Sequence, residues 1–235
     1  YESPFREAAG RLANLDLAAD FGRAAAVTPA TPLGAVTGRR FDGALVRPDW
    51  RGVQPRLGAS WRPMAASTLL IRAGYGLYQQ NGIYAPIASW LARQPPYYST
   101  ATLASTPDRP LTLANGFATA PDTLANTVAV DPNLKMGYAE TWNVSVQRDL
   151  PASLTAMASY LGTRGHDLLQ ESLPNTAPPG APPVCGACPV GFVYVSSTGH
   201  SIRHALTLQL RRRLRAGFTS SAQYVLASAH DDATA

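Results

Sequence analysis

The chain has 235 residues, 46% of them hydrophobic and only 15% charged, with a net charge of +5. Its length admits one or two ordinary domains. No apolar run approaches the roughly 18 residues a membrane helix requires, so no membrane-spanning helix is expected in this chain.

Residues 1–53 open the chain and are rich in Ala, Gly, Thr and Pro, with a short alternating patch at Leu15 and Leu17. The start, Tyr1-Glu2-Ser3-Pro4, is not a signal peptide. A hairpin is expected over 54–78. Neighbouring residues of a strand face opposite ways, which sets Leu57, Ala59 and Trp61 against Arg56, Gly58, Ser60 and Arg62. On the return, Leu69, Ile71, Ala73, Tyr75 and Leu77 oppose Thr68, Arg72, Gly74 and Gly76, while Leu70 and Tyr78 break the polar face.

A long connection, 79–137, follows. In it Ile83, Ile87, Trp90 and Leu91 fall at helical spacing over Ile83–Ala92, with Pro86 near the start where proline is tolerated. Gln94-Pro95-Pro96-Tyr97-Tyr98 comes next. The second hairpin, 138–162, sets Trp142, Val144 and Val146 against Thr141, Asn143, Ser145 and Gln147. After a turn at Arg148–Pro151, Leu154, Ala156, Ala158 and Tyr160 oppose Thr155, Met157 and Ser159. The third long connection, 163–202, holds the proline-rich run Pro174–Pro183. The last hairpin, 203–228, places Leu206, Leu208 and Leu210 against Thr207, Gln209 and Arg211, then Phe218, Ala222 and Tyr224 against Thr219, Ser221 and Gln223.

Six strands in three hairpins thus alternate short turns with long loops. That asymmetry marks an all-β chain forming a fragment of a large antiparallel transmembrane β-barrel. Each strand approaches or exceeds the roughly 9–11 residues a tilted strand needs to cross a bilayer. The polar faces carry Thr, Ser, Gln, Asn and Gly, with a few Arg and almost no acids, which departs from the Lys- and Glu-rich surface of a soluble sheet. Trp61 and Phe218 near the short turns, and Tyr75, Tyr78, Tyr160 and Tyr224 toward the long loops, read as two aromatic girdles. Barrel topology puts the long loops outside the cell, in an outer membrane of Gram-negative type. Six strands are fewer than the eight of the smallest single-chain barrels. The expectation is an internal piece of a longer exported protein.

The loops supply the candidate contact residues: Trp90, Tyr97 and Tyr98 for a ligand. Cys185 and Cys188 form a Cys-x-x-Cys pair that admits a redox site, half of a zinc site or a local disulfide. A redox site needs a βαβ context that is missing. Zinc needs two more ligands, and His200 and His204, the nearest candidates, are not spaced as a helical pair. An oxidising exterior and an even count favour the disulfide. Arg211-Arg212-Arg213 with Arg215 is the densest basic cluster. It lies at a hairpin turn without interleaved aromatics, so a solvated periplasmic turn is expected rather than a nucleic-acid partner. His166, His200, His204 and His230 are isolated, and no nucleophile elbow is present. No catalytic residue, metal or cofactor is expected. A different class of reading remains: a soluble or surface-anchored β-sandwich acting as an adhesin or glycan-binding module, whose apolar faces would meet in a dry core.

The hairpins also carry a resemblance. Arg56–Pro63 with Ile71–Tyr78, Thr141–Arg148, Tyr160–His166, and Leu208–Arg213 with Tyr224–Asp232 are together similar, in the same order, to the motif series of Oar-like TonB-dependent outer-membrane receptors. That family often carries an N-terminal carboxypeptidase-regulatory-like domain. The resemblance implies a barrel of some twenty or more strands, with a plug and an energy-coupling segment that this chain lacks. It also implies a TonB-type coupling complex, outer-membrane lipid and an unknown large solute as partners, the last taken up without covalent chemistry.

Overall fold

In the computed structural model, the described residues are 6–98, 107, 110, 112, 127–186, 188, 192–215 and 217–232. Nine strands and one α-helix occur among them: β1 (Asn14–Leu17), β2 (Ala24–Val27), β3 (Arg56–Trp61), β4 (Leu70–Gln79), a short 3-10 turn (Asn81–Ile83), α1 (Tyr84–Ala92), β5 (Val128–Val130), β6 (Tyr138–Leu150), β7 (Leu154–Ser172), β8 (Val193–Arg215) and β9 (Phe218–Asp231). β3, β4, β6, β7, β8 and β9 pair in that order as one antiparallel wall, open at β3 and β9. No described helix is long and apolar enough to cross a membrane, and β4, β6, β7, β8 and β9 are the elements with the length to do so.

Register carries the alternation from strand to strand. One row runs Ala59–Ala73–Val144–Tyr160–Leu206–Leu226, and the next Trp61–Ile71–Val146–Ala158–Leu208–Tyr224. Between them lies the polar row Ser60–Arg72–Ser145–Ser159–Thr207, which ends on Val225 at the β9 edge. The row through Trp61 lies farther from the turn in each successive hairpin, the stagger that a tilted wall requires. Gly217 makes the last turn at φ +78, a conformation open to glycine without strain.

The apolar face has no protein partner. Leu57 is 72% exposed, Trp61 62% and Tyr224 61%. Among the described residues, Ala205 and Val195 are the buried hydrophobic residues of the wall strands, and Val195 packs into the loop core at the start of β8. The dry core that a β-sandwich requires is therefore not formed by these faces. Large apolar surface left bare on a sheet is costly in water and costs nothing in lipid.

Four expectations need correction. Residues 163–202 are not one long loop, because β7 runs on to Ser172 and β8 starts at Val193. Alternation reports a boundary between lipid and a polar interior, so it stops where strands project beyond the membrane, while backbone pairing continues. Residues 1–53 and 79–137 likewise contain β1, β2 and β5. β3 has only six residues, fewer than a span. It pairs on one side alone, and Pro63 cannot donate to a ladder. Tyr78 does not belong to a girdle: it sits on the polar face, where the Arg56 guanidinium lies 4.6 Å from its ring centroid. The part of the loop 79–137 between 99 and 126 falls mostly outside the described residues.

The buried core lies beyond the wall, where segments preceding β3, joining β4 to β6 and joining β7 to β8 collapse together. α1 buries Ile87 and Leu91 alongside Ile83, as the helical spacing predicts. These pack with Leu12, Val27, Phe41, Leu45, Val130 and Val195. β5 binds the start of β8 in parallel, from Val128↔Val193 to Val130↔Val195, which ties this loop module to the wall.

Candidate functional site

Buried amides hold the module together. Asn14 donates from Nδ2 to the carbonyls of Val130 at 2.8 Å and Leu45 at 3.4 Å, and accepts at Oδ1 from the N–H groups of Val130 and Leu15. Gln94 accepts the Thr127 N–H at 2.8 Å and donates to the Trp90 carbonyl. Each satisfies backbone groups that no ladder reaches, which a dry loop core demands. Asp16, also buried, accepts from the N–H groups of Val36 and Thr37 and from Thr37 Oγ1 at 2.6 Å. Gly34 lies against that carboxylate so closely that a Cβ there would fall 2.3 Å from Asp16 Oδ2.

Charges fasten the module to the rim of the wall. Asp49 accepts from Arg51 Nη2 at 2.7 Å and from the Met136 N–H at 2.9 Å. Arg51 Nη1 and Lys135 Nζ also approach Asp167, at 3.5 and 3.7 Å. The Arg51 side-chain hydrogen bond, opposed by burial, holds Asp49 down to about 2 from an ordinary value of 3.8. Because the folded value is depressed, the contribution is full above pH 3.8 and is lost as pH falls through about 2. Screening around the half-exposed Arg51 limits it to about 1 kcal/mol. Protease resistance of the 28–55 segment should therefore fall between pH 4 and pH 2 in the wild type. Asp49→Asn should remove that pH dependence.

A cleft of about 360 Å³ opens on the module's surface. Phe21, Phe41 and Tyr194 give it aromatic walls, and Asp16, Thr37, Arg39, Asp131 and Asn133 give it polar groups. Arg39 Nη2 donates to Asn133 Oδ1. Phe21 meets Tyr194 edge to face at 5.1 Å. Burial and the Asp131 carboxylate push the Tyr194 phenol up to about 12, so it stays a neutral donor. Aromatic faces beside paired donors and acceptors suit a polar organic solute rather than a bare ion.

Cys185 and Cys188 are joined by a disulfide with Cα atoms 5.3 Å apart, under this cleft. They pack with Leu15 and Phe192, and through that cluster against Phe21 and Tyr194. Asn175 closes the loop by accepting the Cys185 N–H and donating to the Cys185 and Cys188 carbonyls. The aromatic candidates lie elsewhere. Trp90 is half-buried against the module core, while Tyr97 and Tyr98 follow α1 and remain 40% and 50% exposed. None of the three lines the cleft. Phe21, Arg39, Asp131 and Tyr194 escaped the sequence reading; the patch at Leu15 and Leu17 was the one local sign of the hairpin beside them.

On the wall's apolar face, the row Tyr75–Trp142–Gly162–His204 closes the apolar stretch toward the module. Tyr160 stacks on His204, and its hydroxyl shares a 2.7 Å hydrogen bond with His204 Nδ1. The next row brings Glu140 and Arg164, and Glu140 contacts the Tyr75 hydroxyl and His166, each at 3.4 Å. No group of three metal-ligating side chains occurs among the described residues. His200 instead approaches Asp232. Arg211 and Arg212 sit at the β8 end beside the final turn, and the side chains of Arg213 and Arg215 lie outside the described residues.

A family model described as an outer membrane beta barrel domain matches residues 1–235. Among solved structures, the outer membrane transporter YddB from Escherichia coli shares 15% identity at a TM-score of 0.48, over 75% of this chain and 20% of that one. The FrpB iron transporter from Neisseria meningitidis (F3-3 variant) shares 11% identity at a TM-score of 0.42, over 76% of this chain and 20% of that one. The chain thus spans about a fifth of each of these proteins. No curated protein matches it. With its whole length matched and one face of its wall apolar and unpartnered, the chain belongs to the outer membrane beta barrel domain family.

Proposed function

We propose that this chain is the wall segment and surface cap of a TonB-dependent receptor of the Oar-like type, taking up a large solute. The observation that carries the reading is the loop module: three separate connections share one core and present an open, aromatic and polar cleft. A passive pore needs no such ordered cap. In this reading the module faces outward, captures solute in the cleft, and hands it to the polar face of the wall inside the barrel. Movement of a plug, driven by an inner-membrane coupling complex, then admits it. The work is binding and passage, with no covalent step.

Thermal-shift screening of the full-length protein against oligosaccharides, peptides and metal chelates tests this. A compound that stabilises the wild type is expected to lose about tenfold in affinity with Arg39→Ala or Asp131→Asn, the cost of a hydrogen bond to a charged group. Cells should import that compound, and a protonophore should stop the import. Import that continues without membrane energy contradicts the coupling. Wild-type affinity in both variants contradicts the cleft.

A further inference from the structure

The apolar face carries a trough of about 530 Å³ near the short-turn end. Its floor is made of small residues on β7, Ala156 and Ala158, while Ala222 on β9 lines it beyond Leu210. Val146 stands on one side, Leu208 and Leu210 on the other. Tyr160, next on the same face of β7, closes it toward the loop module. A wall needing only generic contact with lipid would be covered by side chains of similar height. Here small residues lie between taller ones along the strand direction, which is the form an acyl chain fills.

Two arginines stand where such a chain would meet its headgroup. Arg148 lines the trough, is exposed, and pairs in register with Ala156. Arg212 shares the face of Leu208 and Leu210 and pairs with Leu154. Its Nε is buried and finds no hydrogen-bond partner among the described residues. The two positions are two strands and two residues apart, about 12 Å between Cα atoms, a gap that two arginine side chains close upon one phosphate. Asp149, the carboxylate next to Arg148, is on the opposite face, where it accepts from Thr155 Oγ1 at 2.8 Å. An arginine on a lipid-facing strand must reach headgroup level, and a guanidinium there suits a phosphate in bidentate geometry.

We propose that this trough is a specific site for one glycerophospholipid of the leaflet at the short-turn end. An acyl chain lies over Ala156 and Ala158, and the phosphodiester lies between Arg148 and Arg212. The assignment of that leaflet as the periplasmic one rests on the orientation proposed above; the site itself rests on the trough and the two guanidinium groups.

Native mass spectrometry of the full-length protein in detergent, titrated with dioleoylphosphatidylglycerol, tests it. The wild type should retain one lipid per molecule. The double substitution Arg148→Gln/Arg212→Gln should weaken retention by about tenfold or more, and Arg148→Lys/Arg212→Lys, which keeps the charges but not the bidentate geometry, should restore only part of it. Ala158→Leu, which fills the trough and keeps every charge, should weaken it as well. If the double glutamine variant does not fold, Ala158→Leu decides alone, since it adds only apolar surface to a lipid-facing position. Equal retention by the wild type and the folded variants overturns the site, as does displacement of the phospholipid by hexa-acylated lipid A. A protein that fractionates with the outer membrane yet retains no phosphatidylglycerol overturns the site and leaves the receptor reading intact. Failure to fractionate there overturns the receptor reading.

Discussion

Val144→Arg is expected to cost the folded barrel about 2–4 kcal/mol, the depth-dependent cost of an arginine on the lipid face near the midplane. Val144 lies in the middle of β6 on the row Ala59–Ala73–Val144–Tyr160–Leu206–Leu226, with the row of Trp61 and Val146 next toward the short turns and the row of Tyr75 and Trp142 next toward the module. Ser145→Arg is the control. Its side chain belongs to the opposite face, in a row that already holds Arg72, and its cost should stay within about 0.5 kcal/mol. The measurement is the folded fraction of full-length protein in phospholipid vesicles against urea, read from heat-modifiable mobility. Equal costs at the two positions would mean that the faces are not divided between lipid and interior.

Asn14→Ala should loosen the loop module and spare the wall. Removing the amide leaves the Val130 N–H and carbonyl without their partner in a dry core, along with a bond to Leu45. Stranding buried backbone groups of this kind costs about 1–3 kcal/mol for each one left unsatisfied. The module is small and joined to the wall chiefly through β5, so it should open as a unit before the barrel does. Limited proteolysis of the full-length variant is expected to cut within 28–55 at least tenfold faster, while the heat-modifiable band is unchanged. Wild-type cleavage rates would contradict the role given to Asn14.

The wall was legible in the sequence because a bilayer imposes a two-residue period on every strand that crosses it. Leu206, Leu208 and Leu210 announce β8 by that period alone. Its upper half, from Val193, does not, since the loop module packs on Val193, Tyr194 and Val195 there and no bilayer selects alternation. α1 was legible for the corresponding reason at helical period, with Ile83, Ile87 and Leu91 on one buried face. The module was not legible. Asn14 meets Val130 across 116 residues of sequence, and no local pattern marks a contact between two loops. The cleft shares that origin, because Phe21, Arg39, Asp131 and Tyr194 come from three connections. Tyr78 was misplaced by residue type, when its parity with Gly74 and Gly76 already assigned it to the polar face.

Every proposed role depends on one arrangement: a wall embedded in the outer membrane with its loop module outside the cell. An epitope tag inserted within Pro178–Gly180 of the full-length protein, probed on intact cells with antibody and protease and followed by membrane fractionation, tests it most directly. The account predicts a tag accessible on intact cells and a protein confined to the outer-membrane fraction. A tag reached only after the outer membrane is broken, or a protein released into the soluble fraction, would contradict it.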